Sequence, residues 1–299
     1  MFQKNVLIFF FVFVVTCVYA GVEKMYSVDT LLITNKEGLI QSHKEVISIL
    51  NATNVSKKAE LFYNTGYALA NKPKATKKDF LVAISYISIA AEFYKESGSY
   101  KEFGTCLENL ATIHYELSEY EKAVSLFEES IEIHKTYLSH DIAHIALLHT
   151  NIAFIFFNTY RYENAIRFFS NSLLYYTTIK DTVGIGKTLY YKGLVFYENN
   201  ELDSALVYYE KALKYDLLSK NVNEILASYN NLAVLYTKKR SLNQAISYLD
   251  KSLGLIEKID NNQSQLSMYH INIGNVYFQK KQFDKALESY NAALQLKRD

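Results

Sequence analysis

The sequence predicts an all-α solenoid of helix pairs, and three observations lead to it. Breakers are almost absent, with one proline (Pro73) and ten glycines in 299 residues, too little turn material for a many-stranded β fold. Segments of a single pattern recur about every 40 residues, a period typical of repeat architectures. Within each segment, small and large apolar residues fall at helical spacing.

The chain opens on MFQKNVLIFFFVFVVTCVYAG. Lys4 supplies a positive start, Val6 to Val15 an unbroken apolar run, and Val18-Tyr19-Ala20 a cleavage site before Gly21, the three parts of a secretory signal. Residues 1–20 therefore read as a signal peptide and the mature chain as exported, periplasmic or associated with the cell envelope. The run is slightly short for a membrane span, so an uncleaved anchor stays open, with acylation at Cys17 ranked below it. After cleavage Cys106 is the one cysteine left, which excludes an intrachain disulfide and leaves it a packing role. Residues 21–57 read as a leading helical cap, with Leu31, Leu32, Ile33, Leu39, Ile40, Val46, Ile47 and Leu50 as its apolar positions. Terminal repeats need such a cover.

Residues 58–299 carry the repeat. The segments YEKAVSLFEESI, YENAIRFFSNSL, LDSALVYYEKAL, LNQAISYLDKSL and FDKALESYNAAL align on Ala123, Ala165, Ala205, Ala245 and Ala286, and FLVAISYISIAA adds Ala83. Twelve residues before five of these alanines stand Ala111, Ala153, Gly193, Ala233 and Gly274, each followed three residues later by His114, Phe156, Phe196, Tyr236 or Tyr277. Small residues at both places let two helices approach closely, and the large ones fill the space beside them. Ser118…Glu121 and Ser241…Gln244 have the spacing of capping boxes for the second helix of a pair, and Asn200 before Asp203 reads as a cap. In the first copy Gly66 takes the small position if the turn NKPKATK carries extra residues.

This pattern resembles the tetratricopeptide repeat, a helix A, a tight turn and a helix B. The period near 40 and the missing proline at the end of helix B match its long-helix variety, as in kinesin light chains and bacterial peptide-sensing regulators. The resemblance implies a right-handed superhelical solenoid of six helix pairs. The order of signal, leading helix and long repeats also resembles extracytoplasmic sensors of Bacteroidetes. In that reading the chain is the sensory portion of a membrane signalling protein, such as a histidine kinase or transcriptional regulator. The sequence stops at NAALQLKRD inside the last helix B, so the expectation is that a partner covers this edge or that the natural chain continues.

NNLAVLY, residues 230–236, raises the question of function, because asparagine is a poor helix former. Counted along helix A, Asn231 sits at position 6, about 200° from the packing position 4, on the face that lines the concave groove of a stacked solenoid. The same position holds Asn64, Asn109, Asn151 and Asn272, and Tyr191 breaks the column. An amide offers donors and an acceptor, so a column of them can hold the backbone of an extended peptide. The resemblance implies the same, since asparagines at this place contact bound peptide in the long-helix relatives. The other reading is that these amides bond neighbouring repeats and set the stacking; the two are compatible. Asn230 has no equivalent asparagine and reads as local. Phe154, Asn158, Lys187, Lys238 and Asn275 complete the predicted groove. Lys187 and Lys238 lie in different repeats, which argues against the paired cations of a receptor for C-terminal carboxylates and for an uncharged peptide or protein surface.

Catalysis finds little support. A net charge of +1 lacks the clustered basic residues of a nucleic-acid binder. His140 and His144 share a helical face, but a closed zinc site needs four ligands, so no metal and no cofactor is expected. VGIGKT lacks the spacing of a phosphate loop, and Gly184 and Gly186 read as a flexible turn between repeats. The expectation is a non-catalytic scaffold with a protein or peptide in its groove. No nucleic acid is expected, and membrane contact only through the N-terminal segment or a missing C-terminal part.

Overall fold

A computed structural model describes residues 55–138, 141–259 and 262–297. The signal segment, nearly all of the leading cap and His140 lie outside the described residues. Among the described residues every element is a helix. In chain order they are α1 (Val55–Ala70), α2 (Lys77–Glu96), α3 (Tyr100–Glu116), α4 (Tyr120–Tyr137), α5 (Ile142–Asn158) and α6 (Tyr162–Thr178). Then come α7 (Thr182–Glu198), α8 (Leu202–Ser219), α9 (Val222–Lys238), α10 (Leu242–Ile256), α11 (Gln263–Gln279) and α12 (Phe283–Gln295). Odd-numbered helices are the A members of the pairs and even-numbered ones the B members. The chain divides into two compact units, Met1–Ser139 and His140–Asp299. The first carries α1 to α4 and the second α5 to α12. Among the described residues no helix is long and apolar enough to cross a membrane.

The small positions are where the pairs close. Ala83, Ala123, Ala165, Ala205, Ala245 and Ala286 are all buried, as are Ala111, Ala153 and Ala233. Where glycine takes the helix A place, even a methyl group would not fit. A Cβ on Gly193 would stand 2.5 Å from the Tyr209 ring and one on Gly274 2.7 Å from Tyr290. Gly66 fills the place in the first copy, 2.7 Å from Ile87 by the same construction. The long turn between Ala70 and Lys77 makes that possible. The large residues stack beside this contact at a constant offset. Phe156 lies on Phe168, Phe196 on Tyr208 and Tyr236 on Tyr248, with ring centroids 5.2–5.6 Å apart. Cys106 is fully buried, and burial pushes its thiol up to about 12, so it is a packing residue.

The turns from helix A to helix B differ from expectation. Ser118 does not cap α4; it takes a left-handed φ of 62°. Its N–H donates to Tyr115 O at 2.8 Å, and the next N–H, of Glu119, donates to His114 O at 2.8 Å, the bond pair of a Schellman turn. Asn200 and Arg240 adopt the same left-handed conformation before α8 and α10. Glu119, Glu201 and Ser241 start the next helices with no side-chain cap bond. These residues stand at ψ 61–70°, far from the 164° of Thr76, and so lack the extended backbone from which a cap side chain bonds the first free N–H groups. The capping box occurs instead at Thr76 and Asp79, where the turn is longer. Asp181 and Asn221 cap α7 and α9 through their side chains.

A second correction concerns VGIGKT. Gly184 and Gly186 are buried inside α7, not in a flexible turn. A Cβ on Gly184 would collide with the Tyr176 ring, and one on Gly186 would stand 3.0 Å from an Asp216 carboxylate oxygen. The helices on either side of α7 in the chain, α6 and α8, therefore both pack against its start.

Tyr209 is only 4% exposed, so its ring has nowhere to go if Gly193 gains a methyl group. Gly193→Ala is expected to cost about 1–3 kcal/mol, read as a lowered midpoint in urea unfolding.

Candidate partner-binding face

In the second unit the A helices lie side by side, and side chains lock each to the next. Phe154 of α5 meets Tyr191 of α7 edge-on, with ring centroids 4.7 Å apart. Lys187 of α7 pairs with Glu224 of α9 at 3.3 Å. Lys238 of α9 donates to Tyr197 O of α7 at 3.2 Å and stands 4.1 Å above the Tyr197 ring. Asn272 of α11 donates to Asn230 of α9 at 3.4 Å. The result is one continuous face made of α5, α7, α9 and α11. In the first unit Asn109 of α3 donates to the Tyr63 hydroxyl of α1 at 3.1 Å.

These contacts reveal what the asparagines do inside the protein. Asn109, Asn231 and Asn272 each reach back to the preceding helix A, and each finds the residue at position 5. The partners are Tyr63, Tyr190 and Asn230. Asn230 is therefore not local; it is the acceptor for the next rung. Asn109 spends both amide protons, the second on Thr105 O at 2.8 Å, which leaves its carbonyl oxygen as the group it can offer. Burial pushes the Tyr190 phenol above its ordinary range, and the bond from Asn231 works in the other direction. Asn64 is exposed and Asn151 half-buried.

Tyr191, the break in the column, changes the chemistry of its rung. Its ring stacks on Phe169 at 5.7 Å and meets Phe154, and Phe154 meets Phe169 edge-on at 5.4 Å. Phe169 is buried, while Phe154 and Tyr191 are half-buried. Each leaves part of its ring on the face. Around them Leu147, Val234 and Met268 are exposed at positions 2 and 9. Asn158 is exposed near the end of α5, and Asn275 accepts from the Tyr290 hydroxyl at 2.8 Å. So the second unit brings together an aromatic pair, scattered aliphatic groups and amides. Lys187 and Lys238 belong to the face, but their charges are engaged between α7 and α9.

The sequence reading missed the position 5 partners. They carry a signal: the position holds Tyr63, Glu108, Thr150, Tyr190 and Asn230 in five copies, polar side chains beside a packing stripe. Glu108 and Thr150 use theirs on helix B, bonding Ser130 at 2.9 Å and Ser172 at 2.8 Å. Lys192 was also missed. It occupies a position held by Leu110, Ile152, Leu232 and Ile273 in four other copies, is buried, and donates to Ser170 at 2.9 Å under the Tyr208 ring. His149 is a packing residue, stacked on Tyr175 at 5.4 Å.

Family models described as tetratricopeptide repeat match residues 104–141 and 224–299. Protein STIP1 homolog of Dictyostelium discoideum is 32% identical over 98 residues, 33% of this chain and 16% of that protein. Hsp70-Hsp90 organizing protein 3 of Arabidopsis thaliana is 25% identical over 242 residues, 73% of this chain and 40% of that one. The chain thus spans less than half the length of either relative. Among solved structures, a signal-transduction ATPase with a tetratricopeptide repeat sensor from Pyrococcus horikoshii superposes with a TM-score of 0.67 at 15% identity. The match covers 91% of this chain and 41% of that one, and the likeness is one of fold.

The bond between Asn109 and Tyr63 is half-buried and direct. A double-mutant cycle of Asn109→Ala and Tyr63→Phe is expected to give a coupling of about 1 kcal/mol in unfolding free energy. Purely additive losses would mean that the rung does not hold α1 to α3.

Proposed function

Because the chain is a tetratricopeptide-repeat protein, we propose that it is an exported, non-catalytic scaffold that binds a peptide or protein across the A helices of its second unit. The observation that carries this reading is the union of half-buried rings, Phe154 and Tyr191, with amides in one continuous face. Aromatic anchors supply contact area at low entropic cost, and amides satisfy a peptide backbone without reading charge. Asn151 and Asn158 are the amides beside the rings, and Asn275 lies farther along the face, on α11. Asn231 and Asn272 contribute chiefly by fixing the spacing of the helices that carry the face, as Asn109 does in the first unit.

The partner is not read as a C-terminal carboxylate. Lys187 is neutralised by Glu224, and Lys238 is held over Tyr197. The likeness to an Hsp70–Hsp90 organizing protein therefore supports a protein partner in general and not that pair of partners. An extended segment with an apolar side chain for the Phe154–Tyr191 site fits better.

The binding test compares Asn151→Ala/Phe154→Ala with Val207→Ala, which lies on helix B. Each serves as bait on cell-envelope extract, with quantitative mass spectrometry of retained proteins. The face variant is expected to lose at least about tenfold of one retained protein that both wild type and Val207→Ala keep. Equal retention by all three would remove the face from the function. Export is tested separately: the mature chain is expected in the envelope fraction with Gly21 as its first residue, and a cytoplasmic chain starting at Met1 would refute it.

A further inference from the structure

Consecutive antiparallel helices with short turns put all B-to-A turns of a unit at one end and all A-to-B turns at the other. In the second unit the α6–α7 and α8–α9 turns are neighbours, because Lys187 near the start of α7 pairs with Glu224 near the start of α9. Both turns are unusually apolar. The first exposes Ile179 and Val183, and the second exposes Leu217, Leu218 and Val222. Leu218 is 62% exposed and Leu217 47%. At the opposite end of the same helices the turns read Asn199-Asn200-Glu201 and Lys239-Arg240-Ser241, with no exposed large apolar residue. Both ends carry a left-handed turn residue, Lys180 and Lys220 at one and Asn200 and Arg240 at the other, so that conformation does not require the difference. Helix packing leaves these five side chains in water, and a contiguous exposed apolar patch marks an interaction surface.

Charge identifies what the patch meets. Lys180 and Lys220 project from the two turns, and Lys214 lies one turn of helix before Leu217 and Leu218, on their face. The acids at this edge are half-buried and bonded within the protein, although they keep their charge. Asp181 accepts from Val183 and Gly184 N–H, Asp216 accepts from Ser228 Oγ at 2.6 Å, and Glu224 pairs with Lys187. The charges standing outermost around the aliphatic side chains are those of the exposed Lys180, Lys214 and Lys220, a composition that seats a protein on an anionic bilayer surface. We propose that the α6–α7 and α8–α9 turns of the second unit form a membrane-surface contact that takes anionic phospholipid headgroups, with Leu217, Leu218 and Val183 entering the interface. This contact is separate from the A-helix face and does not depend on it. It would hold the scaffold edge-on to a membrane with that face left open.

The test uses the full chain with Cys17→Ser and Leu218→Cys, labelled with a polarity-sensitive fluorophore. Buried Cys106 stays unlabelled, which the parent Cys17→Ser protein confirms. Unilamellar vesicles of equal phosphatidylglycerol and phosphatidylcholine are expected to shift the emission to the blue. Neutral phosphatidylcholine vesicles or about 1 M salt should largely abolish the shift. A label at Asn200→Cys, at the other end, should keep its aqueous spectrum. Lys180→Glu/Lys214→Glu/Lys220→Glu should raise the lipid concentration for half-maximal shift at least about tenfold. An aqueous spectrum at position 218 on vesicle-bound chain would overturn the proposal, since binding would then run through the N-terminal apolar segment. An equal shift on neutral vesicles would overturn it too. So would a shift without lipid that grows with protein concentration, which would identify a contact between copies of the chain.

Discussion

Everything in this protein depends on how closely the two helices of a pair approach. An alanine on helix B, facing an alanine or glycine on helix A, brings two backbones together at a place where Tyr209 leaves Gly193 no room for a methyl group. Close approach is worth having because dispersion falls steeply with distance. It also fixes the lever on which every other side chain sits. Once the small positions touch, the rings twelve residues apart, such as Phe156 and Phe168, come into register. The A helices are then presented with one face outward.

That outward face explains a division of labour among its polar groups. An amide on a helix surface competes with the helix itself, so placing one there in copy after copy needs a return. Part of the return is internal: Asn109, Asn231 and Asn272 each bond the preceding helix A. A hydrogen bond between repeats fixes rotation and spacing more narrowly than apolar contact, which is non-directional. The tyrosine at position 191 gives up that bond and gains a ring cluster with Phe154 and Phe169. The one departure from the amide column is thus the rung where the face turns from polar holding to aromatic contact. Lys187 and Lys238 likewise serve the joint between α7 and α9.

The sequence made the pairing of helices legible because its signal is repeated. Ala123 alone means little, whereas the same alanine at Ala165, Ala205, Ala245 and Ala286 means a contact that every copy must satisfy. Position 6 was legible for the same reason, but its partner was not. Tyr63, Tyr190 and Asn230 share a role without sharing a residue type, and the pairing runs between copies about 40 residues apart. The caps were misread through a different physics. Ser118 and Ser241 sit at capping-box spacing, yet the turn is closed by main-chain bonds that no side chain announces. Gly184 and Gly186 looked like flexible punctuation, because their role is set by Tyr176 and Asp216 on other helices.

Those main-chain turns have a consequence for how such a chain can change. The left-handed turn residue is serine at 118, tyrosine at 160, lysine at 180, asparagine at 200 and arginine at 240. Glycine would adopt that conformation most easily, yet none of these positions uses it. The geometry is imposed by the carbonyls behind the turn and by the closing helix pair, so the side chain at its tip is left with no structural duty. A side chain without structural duty is free for selection to assign. Each turn can then acquire its own solvent chemistry, aliphatic and cationic at α6–α7 and α8–α9 and polar at α7–α8 and α9–α10, while the packing between the ends stays the same.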